Sequence, residues 1–536
     1  MTALSARAAD LRTLADTAFD LLIIGGGITG AGVARDAALR GLSVALVERN
    51  DFASGTSSKS TKLVHGGLRY LEQGHVRLVF ESVNERALLM RLAPHLVRPL
   101  EFLVPSYRGD KPGLFVLDCG LWLYDALSGF TSPKLHKAYR KGDVFKLEPG
   151  LRRDELKGGI VYYDCTTDDA RLTIENIMDA RAVGAVALNH VRALRLLKDG
   201  DRFVGAEVEA DGQAIPVRAK VVVNATGPWC DELRATYGAS QILKPTKGVH
   251  IVVDAKRLPL GRALLVKEQK RVVFCIPWGA RSVIGTTDTF YDGPPEQADA
   301  DRSDVDYLLE VGNHYFPDAK LGLDDVLSTW SGLRPLLRPE GGQSESAVSR
   351  EHHLEAQPGL VTIAGGKLTT YRRMSEEVVE LAGRQLGPLQ PRKTRERPLP
   401  GGVGVDGQGG LAELERRIVG LPPDIVTHLV KTYGARAPAL KARIDADPTL
   451  GARLDPELPF VRAEVDEAVD CEQALHLSDL LERRVPLSLH GRDQGLAAAP
   501  AIARQMGARL GWTDPDVARE VAAYRAAIEA TRRFRA

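Results

Sequence analysis

Apolar positions run unbroken from Leu21 to Ile24 in FDLLIIGGG, and three glycines end the run. So short and apolar a stretch predicts a strand buried on both faces. Ile28 to Arg40 then has helical spacing, and LSVALVER predicts a second strand ending near Glu48. Val76, Val79, Phe80, Val83, Ala87 and Leu88 recur at the spacing of an amphipathic helix. RFVGAEVEADGQAIPV predicts a hairpin turning at Asp211-Gly212, which leads into the buried strand VVVNATG. HIVVDA, RVVFCIP and RSVIGTTD predict strands of an antiparallel sheet. Residues 19–387 therefore predict two intertwined α/β domains, one for a cofactor and one for a substrate. Residues 388–410, rich in Pro, Gly and charge, predict a linker or an extended crossing segment. Residues 411–536 carry helical patterns throughout and predict a separate all-α domain, while residues 1–18 are left as an N-terminal tail.

Composition narrows the function. The formal charge is +1, from 71 basic and 70 acidic residues, so no global field attracts nucleic acid or an anionic membrane. Recognition of an anion must be local. The five cysteines are scattered, odd in number and without a CxxC pair, which argues against a disulfide framework and a zinc site. A reducing compartment fits them. The first eighteen residues lack the apolar core of a signal peptide, and no apolar run is long enough to span a bilayer. The most apolar stretch, Leu114 to Leu127, predicts a buried helix, with a shallow interfacial contact as the lesser alternative.

The chemistry begins at Gly25-Gly26-Gly27-Ile28-Thr29-Gly30, which fits G-x-G-x-x-G between a strand and a helix. Gly25 permits the tight turn, Gly27 the approach of a pyrophosphate, and Gly30 the packing of helix on strand. The helix N-terminus then stabilises phosphate charge. Glu48 ends the next strand, where a carboxylate can hold ribose hydroxyls. Two later glycine turns, Asn224-Ala225-Thr226-Gly227 and Ala364-Gly365-Gly366-Lys367, also close apolar strands. Each alone reads as an ordinary strand-to-helix connection. Together they suggest a long cofactor crossed by distant segments, and so FAD rather than NAD. Leu368 and Thr369 extend the last turn. SGTSSKSTKLVHGGLRYLEQG, with Ser57, Ser58, Lys59, Lys62, His65 and Arg69, suits a wrap around cofactor phosphates, although its composition fits a solvated loop equally well.

IIGGGITGAGVARDAALRG, SSKSTKLVHGGLRYLEQG and GGKLTTYRRM, in this order and spacing, resemble the FAD-dependent (aerobic, respiratory) glycerol-3-phosphate dehydrogenase family. The resemblance continues through ATGPWCDEL, KGVHIVV, IGTTDT, SGLRPL and LSDLLERR, and covers all but the N-terminal tail. It implies a Rossmann-type FAD-binding domain intertwined with an antiparallel-sheet substrate domain, similar to amino-acid-oxidase-like flavoproteins, plus the helical C-terminal domain. The implied reaction oxidises sn-glycerol 3-phosphate to dihydroxyacetone phosphate. Hydride passes from C2 to the flavin, and electrons pass on to a quinone. A cytoplasmic enzyme held peripherally on the inner face of the cell membrane follows, and a homodimer is left open. The resemblance places Arg69, Arg334 and Lys367 at the substrate phosphate, with Tyr70 lining the same pocket. Lys367 could instead sit at the flavin. His250 is the first choice of general base and His65 the second. Asp288 could orient a base or, preferably, cap a turn. The rival activity is an oxidase that passes electrons to oxygen; that branch carries an insertion which this chain lacks. A flavoprotein with a degenerate site is the non-enzymatic alternative. The basic end TRRFRA could touch acidic headgroups, although a solvated helix end is the simpler reading.

Overall fold

A computed structural model describes residues 3–72, 74–129, 131–268, 271–338 and 352–535. Among them two large sheets share the first two thirds of the chain. In the first, strand Ala18–Ile24 lies between Val44–Val47 and Gln213–Asn224, and Leu360–Gly365 joins beyond. These four run parallel, so their C-terminal ends lie at one edge. The unbroken apolar run has its explanation here. Leu21 and Ile23 pack under helices Ile28–Leu39 and Tyr371–Leu386, while Leu22 and Ile24 pack in a second core with Val208 and Val217 of the hairpin. That hairpin turns at Asp211-Gly212, as the alternation predicts.

The second sheet has strand Thr246–Asp254 between Arg281–Gly285 and Val326–Arg334, both antiparallel to it. His250 stands mid-strand and Arg334 at a strand end, and the sheet delivers both toward the glycine turns.

Three segments differ from their sequence patterns, and a fourth, 388–410, takes one of its two predicted forms. The N-terminal tail contains helix Ala3–Asp16, which buries only Leu14 and Arg7 and so shows little periodicity. Segment 388–410 is fastened rather than free: Arg40 donates to the Gln390 carbonyl, Arg35 to that of Arg397, and the Leu399 amide to that of Leu92. Helix Leu114–Leu127 is buried on one face only. Leu117, Leu121 and Tyr124 pack inward, whereas Phe115 is 79% exposed and Trp122 52%. The C-terminal segment is docked through Phe534 and Arg535, although the side chains of Arg533 and Arg535 stay exposed. Phe534 is buried, and the Arg535 guanidinium donates to the Val326 carbonyl of the substrate sheet.

A β-carbon on Gly30 would overlap the Gly25 carbonyl oxygen. Gly30→Ala should therefore lower the unfolding free energy by about 1–3 kcal/mol, the usual cost of overpacking. Urea unfolding of the apoprotein reads this directly, and an undiminished midpoint would contradict the packing.

Candidate active site

The parallel strands end together, and their turns share one elongated cavity. Gly25, Gly27, Gly227, Gly365 and Gly366 line it from the first sheet, with Glu48, Ser57, Leu368 and Thr369. Tyr70, His250, Arg334 and Lys367 line it from the other side. Gly25 has φ +115°, a conformation that side chains resist. Its amide donates to the Val47 carbonyl, and the Ala225 amide donates to that of Ile24, both at 2.9 Å. The Glu48 carboxylate accepts from the Gly26 and Asn50 amides at 2.7 and 2.9 Å. Burial raises its pKa, against those two donors.

These residues fit FAD. The N-terminus of helix Ile28–Leu39 opens on the cavity at Gly27, Ile28 and Thr29, and Gly27 supplies no capping side chain. A β-carbon on Gly27 would meet only the Ser57 hydroxyl, so the backbone there is bare toward the cavity. A pyrophosphate suits that helix end, and a ribose suits Glu48. Two predicted contacts are corrected. Ser58 does not line the cavity; its carbonyl accepts from Lys62 Nζ at 3.1 Å, whereas the Ser57 hydroxyl accepts from the Ile28 amide at 2.8 Å. Gly30 lies beneath the turn and serves packing alone.

On the substrate side, Arg334 donates to Thr286 Oγ1 at 3.0 Å and to Asp288 Oδ1 at 3.2 Å. Asp288 thus accepts from the arginine and helps to aim it. A β-carbon on Gly248 would touch that guanidinium, so the glycine clears its path. The Lys367 ammonium sits 3.6 Å from the centre of the Tyr70 ring. Thr369 Oγ1 accepts from the His65 amide and donates to the His65 carbonyl, tying the last glycine turn to the HGG segment. Arg69 lies in helix Leu68–Glu72, but its side chain falls outside the described residues.

His250 is buried and stacks on Trp330, ring centres 4.6 Å apart. Its Nε2 lies 2.9 Å from Thr61 Oγ1. Burial, then the Arg334 and Lys62 charges, push the His250 pKa well below the usual 6.5. Sequence reasoning missed Thr61 and Trp330. The hydroxyl-rich run SSKST was the only signal for the first, and nothing local marks the second.

The family model for FAD dependent oxidoreductases matches residues 20–372, and that for the C-terminal domain of alpha-glycerophosphate oxidase matches residues 392–517. Glycerol-3-phosphate dehydrogenase 2 of Mycobacterium bovis is 40% identical over 98% of this chain and 90% of its own. Aerobic glycerol-3-phosphate dehydrogenase of Staphylococcus haemolyticus is 40% identical over 88% of this chain and 87% of its own. The FAD complex of the Bacillus halodurans glycerol-3-phosphate dehydrogenase superposes with TM-score 0.81 at 32% identity, over 99% of this chain and 98% of that one. Fold and site define an FAD-dependent oxidoreductase of the amino-acid-oxidase-like architecture. The chain belongs to the FAD-dependent glycerol-3-phosphate dehydrogenase family.

Because its folded pKa is depressed, His250 favours folding above pH 6.5, and that contribution is lost as pH falls below 6.5. His250→Gln should flatten the decline of apoprotein stability between about pH 6.5 and 5. Urea titrations at each pH measure it, and an unchanged acid slope would contradict the buried neutral ring.

Proposed function

We propose that this protein oxidises sn-glycerol 3-phosphate to dihydroxyacetone phosphate and passes the electrons to a membrane quinone. The observation that carries the reading is the convergence of Arg334, Lys367, Tyr70 and His250 on the cavity that also holds the glycine turns. The names of the full-length relatives support the same substrate. FAD, when bound, supplies the acceptor for the C2 hydride. Arg334 and Lys367, with Arg69, bind the phosphate dianion, and Asp288 and Thr286 pre-orient the Arg334 fork for two-point contact. His250 removes the proton of the C2 hydroxyl as the C–H bond breaks, so hydride and proton leave in opposite directions. Its depressed pKa keeps it deprotonated and ready, and the charge of a bound dianion offsets the depression. Thr61 and the Trp330 face fix the ring plane.

Anaerobic addition of glycerol 3-phosphate to the holoenzyme should bleach the flavin, and an unchanged spectrum would refute the substrate. Arg334→Ala should raise the half-saturating concentration about 10–100-fold, the worth of lost charge-assisted hydrogen bonds. An unchanged value would remove Arg334 from the phosphate.

The acceptor reading rests on helix Leu114–Leu127. Its outer face carries Phe115, Val116, Trp122 and Leu123, all exposed, and exposed Lys111, Lys134 and Lys137 flank it. An aromatic, apolar face with basic flanks suits a helix lying in a lipid interface. Among the described residues no helix is long and apolar enough to cross a membrane. The double variant Phe115→Ser/Trp122→Ser should lose co-sedimentation with anionic vesicles while keeping bound FAD. Wild-type-like sedimentation of that variant, or peroxide formed mole for mole with substrate, would favour the oxidase instead.

A further inference from the structure

The motif LSDLLERR belongs to the C-terminal domain, yet its charges are spent on the cofactor domain. Leu480–Arg484 form a single π-helical turn, a geometry that often marks functional positions. Arg484 makes a fork-to-fork pair with Asp51: one guanidinium nitrogen meets Oδ2 and the other Oδ1, the latter at 2.9 Å. Arg483 Nε adds a third donor to Oδ2 at 2.6 Å. Asn189 supplies a fourth, to Oδ1 at 2.9 Å. All three charged side chains are buried.

Asp51 is the middle of the turn that carries the ribose-side carboxylate. At one end of this turn Glu48 accepts from the Gly26 amide at 2.7 Å, and at the other the Ala53 amide donates to the Gly26 carbonyl at 3.0 Å. The turn therefore grips the glycine loop on both sides, and Asp51 is the point from which it is held. His190 braces it a second time. Its amide donates to the Asn50 carbonyl at 2.8 Å, and its ring lies 3.0 Å from Asp479 of the same motif. His190 has φ +53°, a strained conformation that such over-determination sustains. Asp51, His190 and Asp479 are close enough to share a metal ion, but the two guanidinium groups already occupy the carboxylates.

We propose that Arg483 and Arg484 make the C-terminal domain a clamp on the cofactor turn, so that retention of FAD depends on the docking of that domain. Releasing the clamp leaves Asp51 buried without its countercharges, which must then hydrate by opening the turn. The motion is transmitted to Gly26 through its two bonds with the turn, to the Glu48 carboxylate and from the Ala53 amide. Arg483 and Arg484 are positioning residues; neither lines the cavity.

A plain stabilising role for the domain interface predicts otherwise, and a second buried pair separates the two. Arg171 and Glu472 form a bidentate bond across the same interface at 2.6 and 2.7 Å, on helix Asp169–Ala182 rather than on the turn; Glu472 meets Arg484 only through its backbone carbonyl, at 2.7 Å, which Glu472→Gln leaves in place. The readout is FAD release from holoenzyme, followed by the return of free-flavin fluorescence after dilution, beside the melting temperature of each apoprotein. Arg484→Met should accelerate release by at least about tenfold, Arg484→Lys should fall between, and Glu472→Gln should stay within about twofold, the scale on which supporting contacts tune a bound group. Equal acceleration by Glu472→Gln, or none by Arg484→Met, would overturn the clamp. If Arg484→Met does not fold, Arg483→Gln, which keeps the Arg484–Asp51 pair, is judged by the same thresholds.

Discussion

Gly25 and Ala225 approach so closely that a β-carbon on the glycine would lie 2.5 Å from the Ala225 carbonyl oxygen. That approach joins the end of strand Ala18–Ile24 to the end of Gln213–Asn224, and Leu360–Gly365 ends alongside. Ligands of open parallel sheets bind beyond such strand ends. Here three glycine turns from segments more than a hundred residues apart form one wall. The antiparallel sheet forms the other, and its strand register sets His250 opposite Trp330 and brings Arg334 to the mouth. A side chain at position 25 would separate the first two turns, and the rest of the cavity depends on their contact.

The electrostatics follow from that enclosure. A chain of nearly zero net charge sets Arg334 and Lys62 beside one histidine. Lys62 is offset by Asp169 at 2.6 Å, and Arg334 is held by Asp288. Low dielectric and these cations push the His250 pKa down. Such a site gains most from a small dianion that brings an ionisable hydroxyl to the ring. In the proposed reading, position rather than total charge recognises the anion.

Much of this was legible in the residues. Both-face burial wrote Leu21–Ile24 as an unbroken apolar run, and Asp211-Gly212 marked the hairpin that leads into the neighbouring strand because left-handed backbone favours those residues. The glycine turns marked themselves for the same reason. What escaped notice depends on tertiary neighbours. Leu114–Leu127 is apolar on both faces, so periodicity could not tell its buried side from its exposed one. Segment 388–410 has little regular structure but is fastened through backbone carbonyls, which any sequence offers. Ser57 and Ser58 are alike in composition; only the direction of the chain puts one at the helix end and the other against Lys62. The aim of Asp288 required the Arg334 strand beside it. The roles of Arg69, His250, Arg334 and Lys367 came from family resemblance, since a lone histidine in a strand is usually structural.

The central claim is that the glycine turns and the cationic set serve one reaction in one cavity. A crystal structure of the holoenzyme grown anaerobically with dihydroxyacetone phosphate tests it most directly. The account predicts FAD spanning the turns at Gly25, Gly227 and Gly365. It also predicts the phosphate within hydrogen-bond distance of Arg334 and Lys367, and the C2 oxygen within that distance of His250. A phosphate bound away from both cations, or a C2 oxygen with no contact to His250, would contradict it.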